Sequence, residues 1–304
     1  RSTLSGSLLL LFVFLSAFLA PPLSRLLRMP VPVGELVIGL LLGHFLAQGV
    51  ALPEILGFLA DFGFLLLMFL AGLEVDFNLL RQLERRHFVF YALYVVGMFL
   101  GAGLLAGLLG VGLAQALILA LVSIGLMVAT LRDMGILGRA FAKRVLILGV
   151  LGEVASLFGL TAMEKAAHYQ GLLSLLKEVG IIALFFLLLF LAFRLAGLFL
   201  WWYPEVGRRL VYEEDPSAMG IRLSLALMFA AAVMSGLVGL ESVLGAFLAG
   251  MILSYFLQKK HDLEAKLSAM GYGFLIPIFF IRTGMGIDLS GLDGRLPPQA
   301  GPAR

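Results

Sequence analysis

Val145-Leu-Ile-Leu-Gly-Val-Leu-Gly-Glu-Val-Ala-Ser-Leu-Phe-Gly-Leu-Thr161 is an apolar run with one charged side chain, Glu153. A transmembrane helix needs about 20 mostly apolar residues, and this run with its flanks is long enough to place Glu153 near the bilayer centre. An ionised group at that depth costs at least ~2.5–3.5 kcal/mol. Carboxylates kept there most often carry protons or cations. A protonated or helix-paired glutamate that only holds helices together is the structural alternative.

The rest of the chain has the same character. Of its 304 residues 61% are hydrophobic and 13% charged, against ~45–50% and ~25% in soluble domains, so the chain reads as an all-α polytopic membrane protein. Apolar runs between charged punctuation predict ten transmembrane helices, near 4–23, 31–48, 55–76, 88–109 and 113–132, then 143–162, 172–202, 217–236, 238–258 and 267–288. Apolar segments recur along the whole length, which a secretory signal alone does not explain. Glycines such as Gly97, Gly101 and Gly103 predict close helix packing in lipid. With no cysteine there is neither a disulfide framework nor a thiolate metal site.

Basic residues fall on alternate loops: Arg25 and Arg28; Arg81, Arg85 and Arg86; Arg132, Arg139, Lys143 and Arg144; Arg208, Arg209 and Arg222; Lys259, Lys260 and Lys266. By the positive-inside rule this side is cytoplasmic and the N-terminus lies outside. The net charge of +3 is thereby accounted for, and no nucleic-acid partner is implied. The aromatic cluster Trp201-Trp-Tyr203 before Arg208 fits a headgroup-level belt.

The chain also repeats itself. Val33-Gly-Glu-Leu-Val-Ile-Gly-Leu-Leu-Leu-Gly-His-Phe-Leu46 aligns without gaps on Leu244-Gly-Ala-Phe-Leu-Ala-Gly-Met-Ile-Leu-Ser-Tyr-Phe-Leu257. The following helices end alike, Gly72-Leu-Glu-Val-Asp76 against Gly284-Met-Gly-Ile-Asp288. The predicted topology gives the two units opposite orientations, as in alternating-access transporters.

These motifs carry a resemblance. Pro32-Val-Gly-Glu-Leu-Val-Ile-Gly-Leu-Leu-Leu-Gly43, Leu66-Leu-Met-Phe-Leu-Ala-Gly-Leu-Glu-Val-Asp76, Leu244-Gly-Ala-Phe-Leu-Ala-Gly250 and Phe279-Phe-Ile-Arg-Thr-Gly-Met-Gly-Ile-Asp288 occur in an order similar to that of bacterial monovalent cation:proton antiporters. That is the sodium/hydrogen exchanger family, which includes the potassium-efflux antiporters, and the resemblance spans residues 4–290. It implies an inverted-repeat fold of thirteen helices, of which about ten are present. Residues 1–171 would be the first six-helix repeat, with dimerisation helices and the first half of a mobile core. Residues 172–210 would be a linker helix and 211–290 a partial second repeat. It further implies a homodimer in the inner (plasma) membrane that exchanges Na⁺ or K⁺ for H⁺, without a cofactor.

Carried over by position, the resemblance makes 113–132 an unwound helix and 143–162 the carboxylate helix. The unwound helix keeps Ser123 but has Ile124 and Gly125 where polar residues are usual. Gly125 is the expected break, since glycine tolerates unusual backbone angles. The carboxylate helix has Gly152-Glu153 in place of an aspartate with a polar neighbour, and a single acid implies one-for-one exchange. Protons and cations compete for a buried carboxylate, so Glu153 is the expected transient Na⁺ or K⁺ ligand. Ser156 lies on the same helix face and could add an oxygen, the ligand type a hard cation takes. Asp61 is a candidate for the cation pathway. Glu35 and Glu241 are read as helix-start carboxylates, and Glu74 and Asp76 as partners of Arg81, Arg85 or Arg86. Arg282 is expected to pair with a buried carboxylate or to snorkel.

The tail Gly291–Arg304 is rich in Pro, Gly and Ala and cannot form a bilayer helix. Beside the family pattern it reads as a C-terminal truncation, which predicts that the parent protein exchanges ions and this chain alone does not. Two other readings are an antiporter-like membrane sensor and an inactive fragment. An enzyme is not expected, as no His-Glu-x-x-His motif or Ser/His dyad is present.

Overall fold

The computed structural model describes residues 2–45, 52–75, 85–110 and much of 112–156. It also describes scattered helical positions over 180–202, then 218–256 apart from 239, and 261–287. Every regular element among them is helical. They are α1 (Ser2–Leu26), α2 (Val31–Phe45), α3 (Glu54–Leu73), α4 (Arg85–Leu109) and α5 (Ile124–Asp133), then α6 (Met219–Leu237), α7 (Ser242–Phe256) and α8 (His261–Met270). A π-helical turn, Gly271–Leu275, joins α8 to α9 (Ile276–Met285). Among the described residues five spans are long and apolar enough to cross a membrane: Gly6–Leu26, Glu54–Leu73, Val89–Leu109, Met219–Leu237 and Leu263–Met285, while Val31–Phe45 and Ser242–Tyr255 are apolar but shorter.

The chain forms two compact units, 1–64 with 270–304, and 65–269. In the first, α1 buries a single stripe, Leu9, Val13, Ala20 and Ser24, and leaves its other leucines and phenylalanines exposed. That 4-7-4 spacing is one face of a helix, and the apolar remainder suits lipid. Leu9 and Val13 meet Leu56 and Ala60 of α3 and Ile278, Ile281 and Met285 of α9 in one core. The closest pairing is α2 on α9. A Cβ added at Gly39 would run into the carbonyl oxygen of Ile281, and one at Gly284 into that of Leu36. Small residues that let backbones approach this closely are how helices associate in lipid.

The second unit contains the same pairing in different elements. An added Cβ at Gly250 of α7 would strike the Phe69 carbonyl of α3, and one at Gly72 the Phe247 carbonyl of α7. The correspondence reaches single atoms. The Gly284 Cβ would also lie 2.9 Å from the Leu40 amide nitrogen, and the Gly72 Cβ 2.9 Å from that of Met251. In the gapless alignment Gly39 falls on Gly250, Leu36 on Phe247 and Leu40 on Met251. Of the two aligned segments, α2 therefore seats α9, which comes after α7 in the chain, and α7 seats α3, which comes after α2.

Within the second unit α3 is buried on all sides from Leu66 to Leu73. By contrast α4 buries Tyr91, Ala102 and Ala106 and exposes most of its large side chains. The expectation that Gly97, Gly101 and Gly103 are packing notches is not met. An added Cβ at each has nothing within 4 Å among the described residues. The turn from α6 to α7 is closed by the Ser235 hydroxyl, which donates to the Glu241 carbonyl at 2.9 Å. Glu241 immediately precedes α7, as its reading as a helix-start residue requires, whereas Glu35 is buried in the second turn of α2.

Two predicted boundaries move for physical reasons. The last span starts at Leu263, not near 267, because Leu263 and Leu267 are buried on the inner face of a turn whose Lys266 is exposed. Its π-helical turn precedes Pro277, which has no N–H to offer the Gly273 carbonyl. The Ile276 amide instead bonds back to the Gly271 carbonyl, widening the helix for one turn. The other change is in 113–132, where no helix runs through position 123.

Candidate functional site

Ser123 is extended, with φ −105° and ψ 103°, and α5 starts immediately after it. A serine before an apolar run is a helix N-cap signature, and its hydroxyl accepts from the Leu126 N–H at 3.4 Å. The break is therefore at Ser123 and not at Gly125, which lies in the first turn of α5. Gly125 serves close approach instead: an added Cβ would lie 3.0 Å from the Leu67 Cδ2 of α3. Ten residues on, α5 ends in a Schellman turn. Gly135 adopts φ 67°, its N–H bonds the Arg132 carbonyl at 2.9 Å, and the Ile136 N–H bonds the Leu131 carbonyl at 3.1 Å. Arg132 in the last turn suits the negative end of the helix. It stands 3.7 Å from Glu74 at the end of α3, a partner not among those expected for Glu74, of which Arg81 lies outside the described residues.

The helical residues 144–149, 151–153, 155 and 156 pass beside the break and hold both of its sides. Glu153 accepts a hydrogen bond on Oε2 from the Ile124 N–H, at 2.8 Å. Three residues on, the buried Ser156 hydroxyl donates to the Ala120 carbonyl at 3.2 Å. The spacing puts both side chains on one face. Glu153 thus meets the positive end of α5, and Ser156 holds a carbonyl that the break has freed. Gly149, one turn before Glu153, brings the helices together: an added Cβ would lie 2.8 Å from the Met127 methyl group of α5.

Of the predicted site residues, Glu153, Ser156 and Ser123 gather at this break, with Ser123 exposed and Ser156 buried. Asp61 is exposed on α3 within the other unit, 1–64 with 270–304. Two groups that sequence reasoning missed are backbone atoms, the Ala120 carbonyl and the Ile124 N–H. A serine directly before an apolar run, a reading not drawn from the sequence above, is the signal that could have found them. Among the described residues no three His, Asp or Glu side chains cluster as a metal centre. The oxygens at the break are one carboxylate, hydroxyls and carbonyls, a hard but weakly charged donor set.

A carboxylate on the N-terminus of a short helix, in a chain with several apolar helices long enough to cross a membrane, fits the class of polytopic helical membrane proteins. The chain belongs to the sodium/hydrogen exchanger transmembrane family, which matches residues 14–300. It is 28% identical over 307 residues to a Bacillus subtilis protein named putative Na(+)/H(+) antiporter YjbQ, covering 92% of this chain and 47% of that protein. It is 29% identical over 293 residues to the probable Na(+)/H(+) antiporter GerT of Bacillus cereus, covering 94% and 75%. To the glutathione-regulated potassium-efflux system protein KefC of Escherichia coli it is 28% identical over 288 residues, covering 91% and 44%. The chain therefore spans about half the length of the first and third of these relatives.

Proposed function

We propose that the protein is a secondary transporter that exchanges a monovalent cation, Na⁺ or K⁺, for H⁺, with Glu153 as the group both ions share. The observation that carries this reading is the 2.8 Å bond between the Glu153 carboxylate and the Ile124 amide. It supports a reading in which the acid stands at a gap in a span, where freed backbone groups supply ion ligands. Ser156, Ser123 and the carbonyls around the break are the accessory oxygens. A single carboxylate that takes one cation or one proton gives one-for-one exchange.

The glycine seams support an inverted-repeat architecture, with 1–171 and 211–290 as its two halves and 172–210 as the linker. In this reading the protein is a homodimer in the cytoplasmic membrane with its N-terminus outside. The test is dye-quench transport in proteoliposomes holding the full-length protein. Added Na⁺ or K⁺ collapses a preformed pH gradient in the wild type, and Glu153→Gln abolishes the collapse. Unchanged exchange in Glu153→Gln would sink the assignment.

A further inference from the structure

The Glu153 carboxyl group is met by backbone. Among the described residues no basic side chain forms an ion pair with it, and its contact is the Ile124 N–H. That amide is the first of a ten-residue helix whose opening N–H groups have no intrahelical partner, and whose macrodipole places positive charge there. Position 124 cannot shift easily. Ile124 is 1% exposed, Gly125 behind it abuts Leu67 and Gly149 opposite abuts Met127. Ser156 ties the other side of the break to the same helix through Ala120. The carboxylate and the amide are thus held face to face by packing on both sides.

We propose that the Ile124 amide is a positioning group, an internal counter-charge that holds Glu153 when neither cation nor proton is bound, so that every ion binds against it. The inference rests on Glu153 being the ion-carrying group. An ionised carboxylate offers about four lone-pair positions, and the amide occupies one while drawing charge from Oε2. A cation at Glu153 therefore meets a weaker ligand than a free carboxylate, and leaves it more readily. The device keeps uptake loose enough for release.

Position 124 permits a direct test, because it is the first residue of α5. Proline is favoured at that position, where its missing N–H costs no helical bond. The residue before a proline must be extended, and Ser123 already is. Ile124→Pro removes the amide hydrogen, and Ile124→Ala removes comparable side-chain bulk while keeping it. Na⁺ or K⁺ exchange by the full-length protein in proteoliposomes gives KM and kcat for each. A bond from a neutral donor to a carboxylate is worth enough to change affinity about tenfold. Measured at alkaline pH, where protons do not compete for Glu153, Ile124→Pro is expected to lower the cation KM about tenfold relative to Ile124→Ala, with kcat equal or reduced. Equal KM values in the two variants, or a higher one in Ile124→Pro, overturn the proposal.

Should Ile124→Pro fail to fold, the α-hydroxy acid of isoleucine at 124 replaces the N–H by an ester oxygen and keeps the side chain. The same fall in KM is then required against wild type. Glu153→Gln separates the two claims. If it leaves exchange intact, the carrier assignment fails; if it abolishes exchange while KM is indifferent to the amide, only the counter-charge fails.

Discussion

Ser156→Ala removes a buried hydroxyl with almost no change of volume and leaves the Ala120 carbonyl without that donor. An unsatisfied buried acceptor costs about 1–3 kcal/mol. Thermal unfolding in detergent should therefore fall below wild type by that amount, and exchange should weaken with it. Ser156→Cys, which retains a weak S–H donor, should lie between the two. Equal stability for Ser156→Ala and wild type would mean that the carbonyl finds another donor. At this scale the sequence was partly legible. A lone glutamate in an apolar run announces itself, and Ser156 follows from helical spacing. The Ile124 amide and the Ala120 carbonyl do not, since backbone groups carry no residue code. Gly125 misled for a related reason: glycine permits both a break and a close approach, and only the neighbouring Leu67 decides between them.

At the scale of elements, the seam glycines and the α4 glycines look alike in the chain and behave oppositely. At Gly72 and Gly250 an added methyl group meets backbone, which cannot yield as a flexible side chain does. Gly72→Ala and Gly250→Ala are expected to lose several kcal/mol, read as a marked fall in melting temperature or in folded yield. Gly103→Ala faces open space in the described structure. It should hold stability level or raise it by about 0.5–1 kcal/mol, the helix-interior penalty of glycine. A neutral Gly72→Ala or a disruptive Gly103→Ala would reverse the assignment of the seams. Seven of the ten predicted spans have apolar helical counterparts within a few residues among the described residues, five of them long enough to cross a membrane. The break before α5 and the π-helical turn before Pro277 were not legible from hydropathy, because both lie inside runs whose apolar character continues across them.

At the scale of the whole molecule, the proposed orientation makes a prediction that the absence of cysteine renders simple to test. Single cysteines at Glu54 and Arg86, both exposed, would be the only thiols among these 304 residues. An impermeant maleimide added to intact cells should label position 54 and should reach position 86 only after permeabilisation. The opposite pattern would invert the topology. The alternating basic loops are what this orientation rests on, and the internal alignment predicted a repeat. What the alignment did not contain is the exchange of partners, since similarity between two segments says nothing about which helix each will touch.

That exchange governs the order of events at the ribosome. α2 and α3 enter the membrane early, yet the helices that fill their seams are α9 and α7, made near the end of the described chain. At ~5–20 residues per second the wait is on the order of ten seconds or more. Until then the small-residue grooves on α2 and α3 face lipid or whatever insertion machinery shelters them. Nascent chains stalled before Ser242 should consequently be far more open to proteolysis and to wrong partners than chains released after Met285.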